Sequence, residues 1–114
     1  MLLIAVFKAF SQISDPALRR VMWDYMGIVR NDERLARAAA MVAVLRDQIE
    51  GDYWQYRLDA DLVELRNIGL VADLLVTCAR RRKESRGLHY NVDHPKPDDR
   101  RFRRDTVLIR QDVR

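Results

Sequence analysis

Two histidines, one cysteine and a run of basic residues are the groups in this sequence best equipped for chemistry. His89 and His94 flank Asp93, a combination able to bind a divalent metal or move a proton. They share a segment with Pro95 and Pro97 and are not spaced i, i+4 on a helix, so they read as hydrogen-bonding loop histidines and not as ligands. Cys78 lies in an apolar periodic stretch with no histidine near it in sequence, the setting of a buried, inert thiol. Gly27, Gly51, Gly69 and Gly87 stand apart from one another, so no glycine-rich loop is available to cradle a phosphate or a dinucleotide. No catalytic, cofactor-binding or metal site is expected within the chain. Arg80 to Lys83, with Arg100, Arg101, Arg103 and Arg104 around Phe102, is the pattern of a nucleic-acid contact. Asp98, Asp99 and Asp105 dilute the second cluster, and the first suits the negative end of a helix dipole, so nucleic acid is disfavoured as a partner. Trp23 and Tyr25, then Tyr53, Trp54 and Tyr56, read as core and seam packing with polar tips.

The elements that must carry these residues are helical. Proline is absent between residues 17 and 94, which permits long helices. Ser14 or Asp15 can cap a first helix with Pro16 in its opening turn, and Leu18, Val21, Met22, Tyr25 and Val29 recur along one face. This helix is expected over 14–29. Asn31 or Asp32 is a fresh cap for a second helix over 32–56, whose seam is Leu35, Ala38, Val42, Leu45, Ile49, Tyr53 and Tyr56. Asp59 or Asp61 caps a third over 60–85, with Leu62, Leu65, Ile68, Ala72, Leu75 and Ala79 inward. The expected fold class is all-α, an antiparallel three-helix bundle of the spectrin-repeat kind occupying 14–87. Residues 1–13 form an N-terminal extension of unclear role. Residues 88–114 form an irregular basic arm, with Thr106–Ile109 as a short strand lacking a partner in the chain.

Composition agrees. With 114 residues, 48% hydrophobic and 33% charged, the chain suits one domain and not a disordered segment. Residues 1–79 carry nine Lys/Arg against eleven Asp/Glu, and residues 80–114 carry twelve against six, so the net charge of +4 is concentrated in the tail. One cysteine excludes an internal disulfide. The longest apolar run, Met1 to Phe7, is too short for a bilayer and lacks the features of a secretory signal. A cytoplasmic protein with no membrane partner is expected.

Particular strings carry more information. Met22-Trp23-Asp24-Tyr25-Met26-Gly27-Ile28-Val29-Arg30, then Tyr53-Trp54 with Arg57, then Leu62-Val63-Glu64-Leu65-Arg66-Asn67, occur in order. They are followed by Arg82-Lys83-Glu84-Ser85-Arg86-Gly87-Leu88-His89-Tyr90 with Asp93 and Pro95. The set resembles the C-terminal helical domain of L-aspartate oxidase, within the succinate dehydrogenase and fumarate reductase flavoprotein family. Leu88, where the dehydrogenases carry alanine, and the Trp-Asp-Tyr string favour the oxidase branch. His94 stands where the family usually has an aromatic residue. The resemblance implies a parent enzyme that uses FAD to oxidise L-aspartate to iminoaspartate, the entry to de novo NAD synthesis. The flavin and the catalytic residues would belong to preceding domains, leaving this segment inactive by itself. Its implied partner is the flavin-binding domain of the same enzyme; self-association of the isolated bundle is the other contact considered. The expected docking residues are Glu84, Ser85, Arg86, Gly87, His89 and Tyr90. Arg86 would offer its donor fork across the interface, His89 would hold the loop with one nitrogen and reach across with the other, and Glu84 would pair with Arg80. Two other readings are a free-standing basic module for nucleic acid or an acidic protein, and the corresponding domain of a succinate dehydrogenase-type flavoprotein.

Overall fold

The computed structural model describes residues 15–55 and 58–110. Residues 1–13, Ser14, Tyr56 and Arg57 lie outside that range, as do the readings that fall on them. The described residues are mostly helical, with four helices and one two-stranded pair. Helix α1 covers 15–25, β1 Val29–Arg30, α2 Asp32–Tyr53, α3 Ala60–Arg81, β2 Tyr90–Asn91 and α4 Asp99–Phe102.

Local sequence explains where the long helices begin. Asn31 caps α2 by accepting from the Arg34 N–H at 2.7 Å, and Asp59 caps α3 by accepting from the Leu62 N–H at 2.8 Å. Each side chain satisfies a backbone donor that has no partner inside the helix. Leu35, Ala38, Val42 and Ile49 of α2 are buried, as are Leu62, Leu65, Gly69, Ala72, Val76 and Ala79 of α3. Leu18 of α1 joins Ala38, Val42, Ala72 and Val76 in one cluster, with Val21, Met22 and Tyr25 packed against it. Between α2 and α3, Arg46 pairs with Asp73 and Arg66 with Glu50.

Several expectations are corrected. The first helix ends at residue 25, and Val29 stands in β1, 66% exposed. The third helix stops at Arg81, because Arg82 is extended and the chain then turns Glu84 inward. Leu75 is 52% exposed and its neighbour Val76 takes the core position. Trp23 and Trp54 are exposed and do not pack in the core. Trp54 meets Tyr53 edge-on, and the Arg66 guanidinium lies over both rings. The strand falls at Tyr90–Asn91, pairing in parallel with β1 so that Val29 faces Tyr90 and Arg30 faces Asn91. Thr106–Ile109 belongs to no strand.

Candidate functional site: the Glu84–His94 loop

The parallel pair draws the loop after α3 against the link between α1 and α2. Gly87 makes this possible at its tip. Its φ of +57° closes a tight turn in which Arg86 and His89 exchange backbone hydrogen bonds of 2.8 and 3.1 Å. An L side chain is strained in that conformation.

Glu84 is the centre of the loop. Its side chain is fully buried. One oxygen accepts from Arg82 at 2.5 Å, both accept from Arg86 at 3.0 to 3.2 Å, and the Asp98 backbone N–H donates at 2.8 Å. The Arg86 bonds, together with the Asp98 amide and Arg82, outweigh the cost of burial and hold the carboxyl at about 2. Arg86 also reaches Asp99 at 2.5 Å, and its own pKa is raised by Glu84 and then Asp99. Glu84 thus pairs with Arg82 and Arg86, not with Arg80 as its spacing suggested. The planar fork of Arg86 does meet a carboxylate, but one in its own chain. An Arg86→Ala change should therefore weaken the isolated chain as well, because it removes these ties to Glu84.

Arg82 extends the network to the tail. It donates to the carbonyls of Phe102 at 2.6 Å and Arg104 at 2.5 Å, and to Thr106 Oγ1 at 3.1 and 3.2 Å. Ser85 is buried; its Oγ accepts from the Asn91 N–H at 2.9 Å and donates to the His94 carbonyl at 2.8 Å. Both ring nitrogens of His89 are engaged. Nε2 donates to the Arg82 carbonyl at 3.1 Å, and Nδ1 accepts from Arg30 at 2.8 Å. Burial lowers the His89 pKa, and the charges of Arg30 and Arg82 add to that, so the neutral ring is the form that fits.

Asp32 is the matching centre on the other side. Its side chain accepts from Asn91 at 2.9 Å and His94 at 2.8 Å, and Lys83 lies 3.4 Å away. Burial opposes its charge, yet Asn91, His94 and Lys83 together lower its pKa. Asp93 in turn accepts from the Asp32 backbone N–H at 2.8 Å, adding a carboxylate to the start of α2. His94 is thereby given a place that its sequence context did not supply. The three groups His89, Asp93 and His94 face different partners, and among the described residues no group of His, Cys, Asp or Glu is arranged to hold a metal.

Of the six expected docking residues, the loop brings Glu84, Ser85, Arg86 and His89 together as internal ties. Tyr90 is 43% exposed. The outward side chains sequence reasoning missed are Leu88, 78% exposed, with Ile28 and Val29 beside the strand pair. No buried side-chain nitrogen or oxygen among the described residues lacks a partner. The four glycines sit in separate elements.

Residues 15–114 match the family described as fumarate reductase flavoprotein C-term, and the chain belongs to it. Among named relatives, L-aspartate oxidase of Pseudomonas aeruginosa is 50% identical over 92 residues, covering 81% of this chain and 17% of that protein. L-aspartate oxidase of Yersinia pestis is 51% identical over 78 residues, 68% of this chain and 15% of that protein. The chloroplastic L-aspartate oxidase 2-a of Nicotiana tabacum is 39% identical over 83 residues, 68% of this chain and 13% of that protein. The chain spans less than a fifth of the length of these relatives. No helix among the described residues is long and apolar enough to cross a membrane.

Proposed function

We propose that this chain is the C-terminal helical domain of an FAD-dependent L-aspartate oxidase, folded as a three-helix bundle from α1, α2 and α3, and that it packs on the flavin-binding domain without contributing a reacting group. The single observation carrying this reading is the 50% identity to an L-aspartate oxidase over most of the chain. It favours the oxidase over the succinate dehydrogenase reading. In this view Glu84, Ser85, Arg86, Gly87 and His89 set the shape of the loop, while Leu88 and Tyr90 make the contact. The parent enzyme would convert L-aspartate to iminoaspartate.

A chimera tests this. Residues 15–114 replace the matching segment of the P. aeruginosa relative, and L-aspartate-dependent flavin reduction is followed by absorbance. The expected result is a chimera that holds flavin and turns over. Adding Leu88→Asp and Tyr90→Asp should then lower its thermal midpoint and activity together. In the 114-residue chain the same exposed changes should stay within about 0.5 kcal/mol. A chimera that folds and holds flavin but never reduces it with L-aspartate overturns the assignment. Equal losses in both contexts overturn the docking role.

A further inference from the structure

Two histidines tie the loop after α3 to the chain around the start of α2, and a proton on the ring affects the two ties differently. His94 uses Nε2 as a donor to the Asp32 carboxylate at 2.8 Å. A ring nitrogen that already carries hydrogen keeps that role when the ring takes up a second proton. His89 is built the other way round. Its Nε2 donates to the Arg82 carbonyl at 3.1 Å, and its Nδ1 faces Arg30 Nη1 at 2.8 Å. A guanidinium has only donors, so Nδ1 must supply the lone pair, and this bond exists only while the ring is neutral.

Arg30 has no counter-charge to turn to. Its Nε donates to the Gly27 carbonyl at 2.8 Å, and among the described residues no carboxylate pairs with it. It is partly buried, and burial lowers its pKa with nothing to offset that. Its two acceptors are both neutral, a carbonyl and an imidazole. The charged groups around His89 are Arg30 from β1, Arg82 just past α3 and Glu84 from the loop. The two guanidiniums oppose a proton on the ring. Glu84 favours one, but its carboxylate is already committed to Arg82 and Arg86. The strand pair runs through the same place. The Tyr90 N–H donates to the Ile28 carbonyl at 3.4 Å and the Val92 N–H to the Arg30 carbonyl at 2.8 Å. Arg30 thus grips the loop twice, by its side chain before Tyr90 and by its backbone after it.

We propose that His89 is an acid-opened latch: a proton on Nδ1 turns the Arg30 contact into two facing donors of like charge, so that the tie breaks and β2 loosens from β1. The bond from His94 to Asp32 holds the far end of the loop meanwhile. Burial, with Arg30 and Arg82, keeps the closed ring below its ordinary 6.5, and the opened ring is relieved of all three. The open form therefore binds more protons, so closing is fully favoured above 6.5 and weakens as pH falls below it. Leu88 and Tyr90 ride on this loop, so the docking face is set only while the latch is closed. That consequence rests on the docking reading, whereas the latch is a property of this chain and is tested in it.

Amide hydrogen exchange in the 114-residue chain, read residue by residue by NMR and corrected for the intrinsic pH dependence of exchange, measures the opening. From about pH 7.5 to about pH 5, protection at Tyr90 and Val92 should fall, by at most about tenfold per pH unit. It should also stay below that of Val42 and Val76, because opening the latch leaves the helices folded. His89→Asn puts a carbonyl oxygen near the place of Nδ1, where it accepts from Arg30 and takes up no proton. Its protection at Tyr90 and Val92 should be flat over the same range. Ring nitrogen shifts of the unaltered chain need no variant. They should place hydrogen on Nε2 of His89 at neutral pH and give a titration midpoint below 6.5. Hydrogen on Nδ1, a midpoint above 6.5, or protection at Tyr90 and Val92 that is independent of pH would overturn the proposal. So would the same fall in His89→Asn, or protection equal to that of the core. None of these results bears on the chimera, whose failure concerns the docking reading alone.

Discussion

Replacing Glu84 by glutamine keeps the shape of the side chain and removes its charge. In the native loop that carboxylate is buried and accepts from two guanidinium groups and the Asp98 amide. Every one of its partners is a donor. The glutamine amide nitrogen must then face a donor from any side, and Arg82 and Arg86 lose their counter-charge. Breaking a buried pair from one side costs about 3–5 kcal/mol. A domain of this size has about 5–15 kcal/mol of stability in total, so the change should remove a large part of it. Urea unfolding read by far-UV circular dichroism measures the loss as a lower midpoint at unchanged slope. The pH dependence gives an independent check. The folded carboxyl titrates at about 2 against an ordinary value of 4.5. A depressed folded pKa means that its stabilisation is fully present above 4.5, declines as pH falls below that, and is gone once pH has passed through about 2. One proton taken up on unfolding contributes a slope of at most about 1.4 kcal/mol per pH unit in that window. Glu84→Gln should flatten the stability curve there by that amount. A loss below about 1 kcal/mol at neutral pH, or curves for the two proteins that stay parallel from pH 4.5 to 2, would refute the assignment of Glu84 as the charged centre of the loop.

Gly69→Ala should stabilise the chain by up to about 1 kcal/mol, since the added methyl would meet Arg46 Cγ and Ile49 Cδ1 at an ordinary 3.5 Å; a lowered melting midpoint would show that α2 and α3 approach too closely there. Gly87→Ala has open space around its new methyl but a φ of +57°, and should cost about 1–2 kcal/mol, measured by urea unfolding. Asn31→Ala removes the α2 cap and should cost about 1 kcal/mol, with loss of amide-exchange protection confined to the first turn of α2. Leu45→Ala should cost less than the about 2–5 kcal/mol of a fully buried leucine, because Leu45 is only partly buried against the core; denaturant midpoints decide.

The seam of α2 was readable in advance because Leu35, Ala38 and Val42 repeat at three and four residues, with Ile49 seven further on. On α3 the same logic failed at one position. Leu75 and Val76 are adjacent and both apolar, and period alone does not choose between them when each would continue a stripe. The caps Asn31 and Asp59 were legible because a short polar side chain ahead of an apolar run has a specific donor to satisfy. The two-residue strands were not, since Val29–Arg30 and Tyr90–Asn91 become strands only through each other across 59 intervening residues. Glu84 was the hardest. Set among Arg80 to Lys83 and Arg86, it looks like one more surface charge, and its burial follows from four donors of which two, Arg82 and the Asp98 amide, are aimed at it only by the tertiary path of the chain. The Glu-Ser-Arg-Gly string singled out this loop, but its spacing did not show that Glu84 and Arg86 tie to each other within it.

The strand pair has a kinetic consequence. Joining Val29 to Tyr90 in an unstructured chain would close a loop of roughly 60 residues, an entropic cost of about 4 kcal/mol, for two residues of ladder on each side. No such short ladder forms first. Once α2 and α3 have docked as a helical hairpin, the two ends are already neighbours and most of that loss has been incurred. The clasp between the start of α2 and the loop after α3 is therefore a late event in folding and an early one in unfolding. Destabilising it should speed unfolding while leaving the folding rate nearly untouched, so that substitutions at Asn91 or Ser85 move the unfolding arm of a denaturant-rate plot and those at Val42 or Val76 also move the folding arm.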